Sequence, residues 1–194
     1  VDIVSVRLKG GIRVRTRHAR LLAIGIGIAA AVATTATGSA ATTGTESRAG
    51  NILREQLTGY QEDPLVNSTT GSAMFSALVN EQTQEITYKL SYTSLVGTVT
   101  QSHIHFGGRA QAGGIAVFLC SNLGNGPVGT QACPAAPATI TGVIHPADVI
   151  GPTGQGIAPG EFTELVAAIH AGVTYVNIHS TTNPAGEIRA QLGR

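Results

Sequence analysis

Ile86-Thr87-Tyr88-Lys89-Leu90-Ser91-Tyr92 sets apolar or aromatic side chains against polar ones in strict alternation. Successive side chains of an extended strand point to opposite faces. Ile86, Tyr88, Leu90 and Tyr92 therefore share one face, and Thr87, Lys89 and Ser91 the other. Such a strand has one buried and one wet face, the pattern of an antiparallel sheet laid on a core. Working outward, residues 52–57, 73–79, 100–106, 115–120, 138–144, 174–180 and 187–192 read as strands between turn signals. Residues 115–120 (IAVFLC) are nearly continuous in apolar character and read as a central strand. Only residues 161–171 read as a helix. Phe162, Leu165, Val166 and Ile169 fall at helical spacing, Glu161 and Glu164 suit the N-terminal end, and Gly172 is a natural stop. About eight short strands and one short helix predict an all-β fold, an antiparallel Greek-key-like β-sandwich.

The N-terminal part is of another kind. Arg7, Lys9, Arg13, Arg15, Arg17 and Arg20 precede an uncharged apolar run at residues 21–33 (LLAIGIGIAAAVA), and small residues follow. That order is the layout of a secretory signal peptide over residues 1–40, with cleavage after Gly38-Ser39-Ala40 or Ser39-Ala40-Ala41. The run is short for a membrane span, so a membrane link is expected only if this segment stays uncleaved as an anchor. Residues 41–51 read as a flexible lead-in, and residues 52–194 as the single folded domain. Six of the twelve Lys+Arg and one of the eleven acidic residues lie in the first 40, which leaves the remainder at a formal −4. A mildly acidic exported domain without a basic stripe is not a nucleic-acid binder. The expected setting is secreted or cell-envelope. The expected partner is an extracellular protein or surface ligand, which the sequence does not name.

Export places Cys120 and Cys133 in an oxidising compartment, and two cysteines there are expected to pair; two separate buried thiols are the alternative. Asn67-Ser68-Thr69 matches a glycosylation sequon.

Chemistry concentrates in two strands, Ser102-His103-Ile104-His105-Phe106 and Thr174-Tyr175-Val176-Asn177-Ile178-His179-Ser180. His103 and His105 share a face, and His179 shares one with Asn177 and Tyr175. If the two strands are neighbours, three imidazoles meet, and imidazole suits Cu or Zn. The alternative is that they hydrogen-bond to Asn177, Glu187 or backbone and order a polar patch. His145, before Pro146, and His170, at the helix end, could add a ligand only by accident of folding, and His18 belongs to the leader. Glu187 and Arg189 share a face and are expected to bond to neighbouring strands or loops. No G-x-S-x-G is present, and the glycines at 107–108 and 113–114 form a flexible loop rather than a phosphate loop, since no G-K-[ST] follows. No catalytic residue is assigned.

Taken in order, Leu57-Thr58-Gly59-Tyr60-Gln61-Glu62-Asp63-Pro64, Gly71, Ser102-His103-Ile104-His105, the segment from Ala171 to Ser180, and Asn183-Pro184-Ala185-Gly186-Glu187-Ile188-Arg189 resemble the CHRD (chordin) domain. The resemblance runs from about Ile52 to Leu192. The Y-V-N-x-H segment followed by P-x-G-E-I-R is its most specific part. The family is named for repeats in chordin, an extracellular antagonist of bone morphogenetic proteins, and includes single-domain exported bacterial proteins. The resemblance implies a fold, a secreted setting and an interaction module, and no reaction. The H-x-H pair is also similar to the copper-ligand pair of Cu/Zn superoxide dismutases. That likeness covers a few residues, and the dismutase's bridging His, further Zn ligands and Arg have no assignable counterparts. A metalloenzyme using the same histidines is the alternative reading.

Overall fold

The computed structural model describes residues 51–67 and 70–193. The leader, the lead-in up to residue 50, and Ser68 and Thr69 of the sequon lie outside the described residues. Among the described residues no helix is long and apolar enough to cross a membrane.

Eight strands and one helix follow in chain order: β1 (Ile52–Leu57), β2 (Ser72–Asn80), β3 (Glu85–Thr93), β4 (Val99–Phe106), β5 (Gly114–Ser121), β6 (Ala138–Ile144), α1 (Phe162–His170), β7 (Thr174–Ser180) and β8 (Ile188–Leu192). They form two antiparallel four-stranded sheets, β1-β2-β3-β6 and β5-β4-β7-β8, in a β-sandwich. The chain changes sheet after β3, β5 and β6, which places β7 beside β4. The sheets also meet at one edge. Thr58, just past β1, and Arg189 of β8 exchange backbone hydrogen bonds of 3.0 and 3.1 Å.

In β3 the alternation holds residue by residue: Ile86, Tyr88, Leu90 and Tyr92 are buried, while Thr87 and Lys89 are exposed. Full burial of a side chain such as Leu90 contributes about 2–3 kcal/mol. The two tyrosines carry hydroxyls into the core, and each needs a partner there. Tyr88 donates to the Leu119 carbonyl at 3.1 Å and accepts from Gln131 at 2.8 Å; Tyr92 donates to the Pro134 carbonyl at 2.6 Å. Gln131 and Pro134 flank Cys133, so the core tyrosines tie down the segment that leads to β6.

Cys120 and Cys133 are disulfide-bonded, with Cα atoms 5.1 Å apart. The strand at residues 115–120 departs from expectation in its place. β5 is an edge strand of the second sheet, not a central one. Its continuous apolar run has another cause: the pairing with β4 slips between Ser102 and His103 and again between Ile104 and His105. Leu119 and Ala116 are the extra residues of these two bulges, and both are buried. A bulge breaks the two-residue period, so adjacent residues can both face the core.

The disulfide closes a segment of sequence separation 13. A Cys120→Ala/Cys133→Ala variant is expected to lose about 3 kcal/mol of unfolding free energy in the chain-entropy account. Urea denaturation of the two proteins measures it.

Candidate metal centre

The second sheet is buried on both faces, and every residue of β7 and β8 is buried. Toward the first sheet it presents Ile104, Val176, Ile178, Ile188, Ala190 and Leu192. Its other face carries His103, His105, Tyr175, Asn177, His179, Arg189 and Gln191, all buried although nearly all are polar. Three loops bury that face: residues 58–67, 107–113 and 181–187.

Buried polar groups must find partners, and most of them do so in these loops. Arg189 donates to the carbonyls of Gln111 (3.1 Å) and Gly108 (2.7 Å) and to the Gln191 side chain (3.2 Å). Gln191 donates in turn to Gly107 O at 2.9 Å and Gly172 O at 3.0 Å. Asp63 accepts from the Ala112 N–H at 3.1 Å and so links two of the loops. Glu187 accepts from the Val96 and Gly97 N–H groups at 2.6 and 3.2 Å. Glu187 and Arg189 thus bond to loops, as their shared face suggested. The glycine loop is not loose. Gly113 donates to Tyr175 Oη at 3.1 Å and its carbonyl accepts from His105, while a Cβ there would run into the Phe106 carbonyl. Gly186 of the G-E-I-R segment has φ +141° and lies against the Glu62 carboxyl, where a side chain has no room.

The three strand histidines come together on this face. β4 and β7 are neighbours, with His103 opposite Asn177 and His105 opposite Tyr175. One ring nitrogen from each histidine lies within 4.8 Å of the other two. His103 Nδ1 is 3.2 Å from His179 Nε2. His103 packs edge-on against Phe118, with centroids 4.4 Å apart; His105 stacks on Tyr175 at 4.7 Å, and the Arg189 guanidinium lies 3.4 Å from the Tyr175 centroid. His145 and His170 stay outside the cluster. Each is exposed and faces a surface glutamate, Glu85 at 3.8 Å and Glu81 at 4.0 Å.

Hydrogen bonding fixes the tautomers. His105 Nδ1 is 2.9 Å from the Gly113 carbonyl, and His179 Nδ1 is 3.0 Å from the Pro184 carbonyl. A carbonyl only accepts, so both Nδ1 atoms carry the proton and both Nε2 atoms present lone pairs. His179 Nε2 can then only accept, so His103 Nδ1 donates to it and His103 Nε2 is bare. His103 Nε2, His105 Nε2, Asn177 Oδ1 and Glu62 Oε1 are all buried without a hydrogen-bond partner. The two imidazole nitrogens and the amide oxygen each hold a lone pair with no proton offered to it, and Thr174 Oγ1 is also buried without a partner.

Burial keeps the rings neutral. It pushes His103 down to about 2, helped by the neighbouring His179 and His105, and His105 down to about 4 against the pull of the Gly113 carbonyl. His179 is lowered by the same desolvation, opposed by its bond to Pro184. Burial also raises Glu62 to about 7, with Arg189 and the Asn177 amide opposing. His105 and His179, held through Nδ1–H to carbonyls, are in the form that metal ligation requires, while the His103 Nδ1–H would have to turn from the His179 Nε2 lone pair for both rings to hold one ion. Ligands about 2.0–2.1 Å from one ion stand about 3.4 Å apart, and ring nitrogens within 4.8 Å of one another are near that spacing. Among the expected histidine partners, backbone carbonyls take the Nδ1 protons of His105 and His179, and Glu187 is engaged elsewhere. Glu62 and Gln191 are residues that sequence reading missed in this layer. Glu62 lies in a loop remote in sequence, and only its place in the L-T-G-Y-Q-E-D-P segment pointed to it.

Arg189 is the principal tie between the sheet and the 107–113 loop. Arg189→Ala is expected to destabilise the fold by about 3 kcal/mol, the scale of losing charged hydrogen bonds in a buried layer. Arg189→Lys should recover less than half, because an ammonium cannot span both carbonyls. Urea denaturation, with hydrogen exchange at the Gly108 to Gly113 amides, measures both effects.

No curated protein and no solved structure matches the chain. A family model described as CHRD domain matches residues 53–192, a span that contains all eight strands but the first residue of β1, together with the loops over the histidines. The chain belongs to the CHRD domain family.

Proposed function

We propose that this is an exported CHRD interaction module that binds one Cu or Zn ion at His103, His105 and His179 and has no catalysis of its own. The observation that carries the metal reading is the three buried atoms without donors, His103 Nε2, His105 Nε2 and Asn177 Oδ1, on a face where three neutral imidazoles converge. Leaving each such acceptor unsatisfied costs about 1–3 kcal/mol, and one cation would satisfy several together. The same burial argues against catalysis. His103, His105 and His179 are 0%, 7% and 6% exposed. Three surface clefts, of about 520, 310 and 180 Å³, are lined by other residues, the third by Glu62 and Pro184 at the margin of the layer. A catalytic metal needs an open position that substrate can reach. Export is supported by the disulfide, which belongs to an oxidising compartment, and by the leader-like residues 1–40. The partner would be an extracellular protein or surface ligand, consistent with membership of the family.

Metal analysis of the purified protein should find about one ion per chain, lost in a His103→Ala/His105→Ala variant. Equal, near-zero metal in both proteins sinks the site. N-terminal sequencing of the protein recovered outside the cell should read a start near residue 41. Recovery in the membrane fraction with the leader still attached overturns cleavage.

A further inference from the structure

We infer that Asn177 supplies a fourth ligand, through Oδ1, to the ion held by the three histidines. The centre is then closed, and it takes a divalent ion in preference to Cu(I). The inference rests on the metal reading above.

Asn177 sits where a fourth ligand is needed. It is opposite His103 in the β4–β7 register and two residues before His179 on the same face. Its Oδ1 is buried with no hydrogen-bond partner. His105 offers no proton there, because its Nδ1–H is committed to Gly113 and its Nε2 is bare. Asn177 Oδ1, His103 Nε2 and His105 Nε2 are thus three desolvated lone-pair atoms on one sheet face. Such an arrangement is costly unless a cation occupies it.

Three neutral imidazoles and an amide give a neutral ligand set of three nitrogens and one oxygen. An amide oxygen is a hard ligand, and it favours Zn²⁺ or Cu²⁺ over the soft Cu⁺. Four protein ligands leave no position for water or substrate, which is the arrangement of non-catalytic zinc sites.

Co²⁺ loaded into the metal-free protein reads the coordination directly through its visible ligand-field bands, recorded with and without azide. The parent protein should show intense four-coordinate bands that azide does not shift. Asn177→Ala should bind Co²⁺ about 10–100-fold more weakly and acquire an azide-dependent spectrum, while Asn177→Asp should stay azide-insensitive. Parent bands that shift with azide as those of Asn177→Ala do would overturn the fourth ligand alone. Absence of bands in the folded parent, checked by circular dichroism, would overturn the histidine site and this inference with it.

Discussion

Everything in this molecule bends to the burial of a polar sheet face. A sandwich normally leaves the outer face of each sheet to solvent, and the first sheet does so along β3, where Thr87 and Lys89 are wet. The second sheet cannot. Its outer face carries three histidines, an asparagine, an arginine and a glutamine under three loops, and each polar atom removed from water needs a partner. The loops supply those partners through their backbones, with Arg189 and Gln191 reaching four loop and helix-end carbonyls between them. Among the described residues, five buried side-chain atoms then stay without a partner: His103 Nε2, His105 Nε2 and Asn177 Oδ1 on the histidine face, Glu62 Oε1 against Gly186, and Thr174 Oγ1.

The segments that identify the family are the ones this layer requires. Leu57 goes to the core and Thr58 joins the two sheets through Arg189. Gly59 packs where a Cβ would meet the Val66 and Glu187 carbonyls, and Glu62 enters the polar layer. Tyr175, Asn177 and His179 line that layer, while Val176 and Ile178 turn to the core. The Pro184 carbonyl orients His179, Gly186 makes room for Glu62, and Ile188 returns to the core. Segments far apart in sequence thus serve a single layer.

Local pattern made most of the fold legible. The β3 alternation, the helical spacing at Phe162 to Ile169 and the turn signals located all eight strands and the helix to within a residue or so, because each is written in a short window. Strand periodicity also put His103 and His105 on one face and His179 with Asn177. Where windows failed, the cause was long-range or irregular. β5 looked central because two bulges broke its period. The glycine loop looked loose because its ties, Asp63 to Ala112 and Arg189 to Gly108, span 49 and 81 residues. Glu62 was invisible as a site residue for the same reason. A carboxylate in a polar loop is exposed by default, and only the tertiary fold lays Gly186 over it.

The buried layer also bears on how folding and ligand binding are linked. Three unsatisfied acceptors on the histidine face, at about 1–3 kcal/mol each, are comparable with the margin of about 5–15 kcal/mol by which a domain is stable. The disulfide, the loop ties and the apolar core must offset that cost in the metal-free protein. An ion that binds only the folded chain would remove much of it, and its binding free energy would appear as added stability. The three histidines would then act as a folding constraint as much as a binding site. On this account a residue such as Asn177 is kept polar at 2% exposure because the ion, rather than the sheet, uses its oxygen.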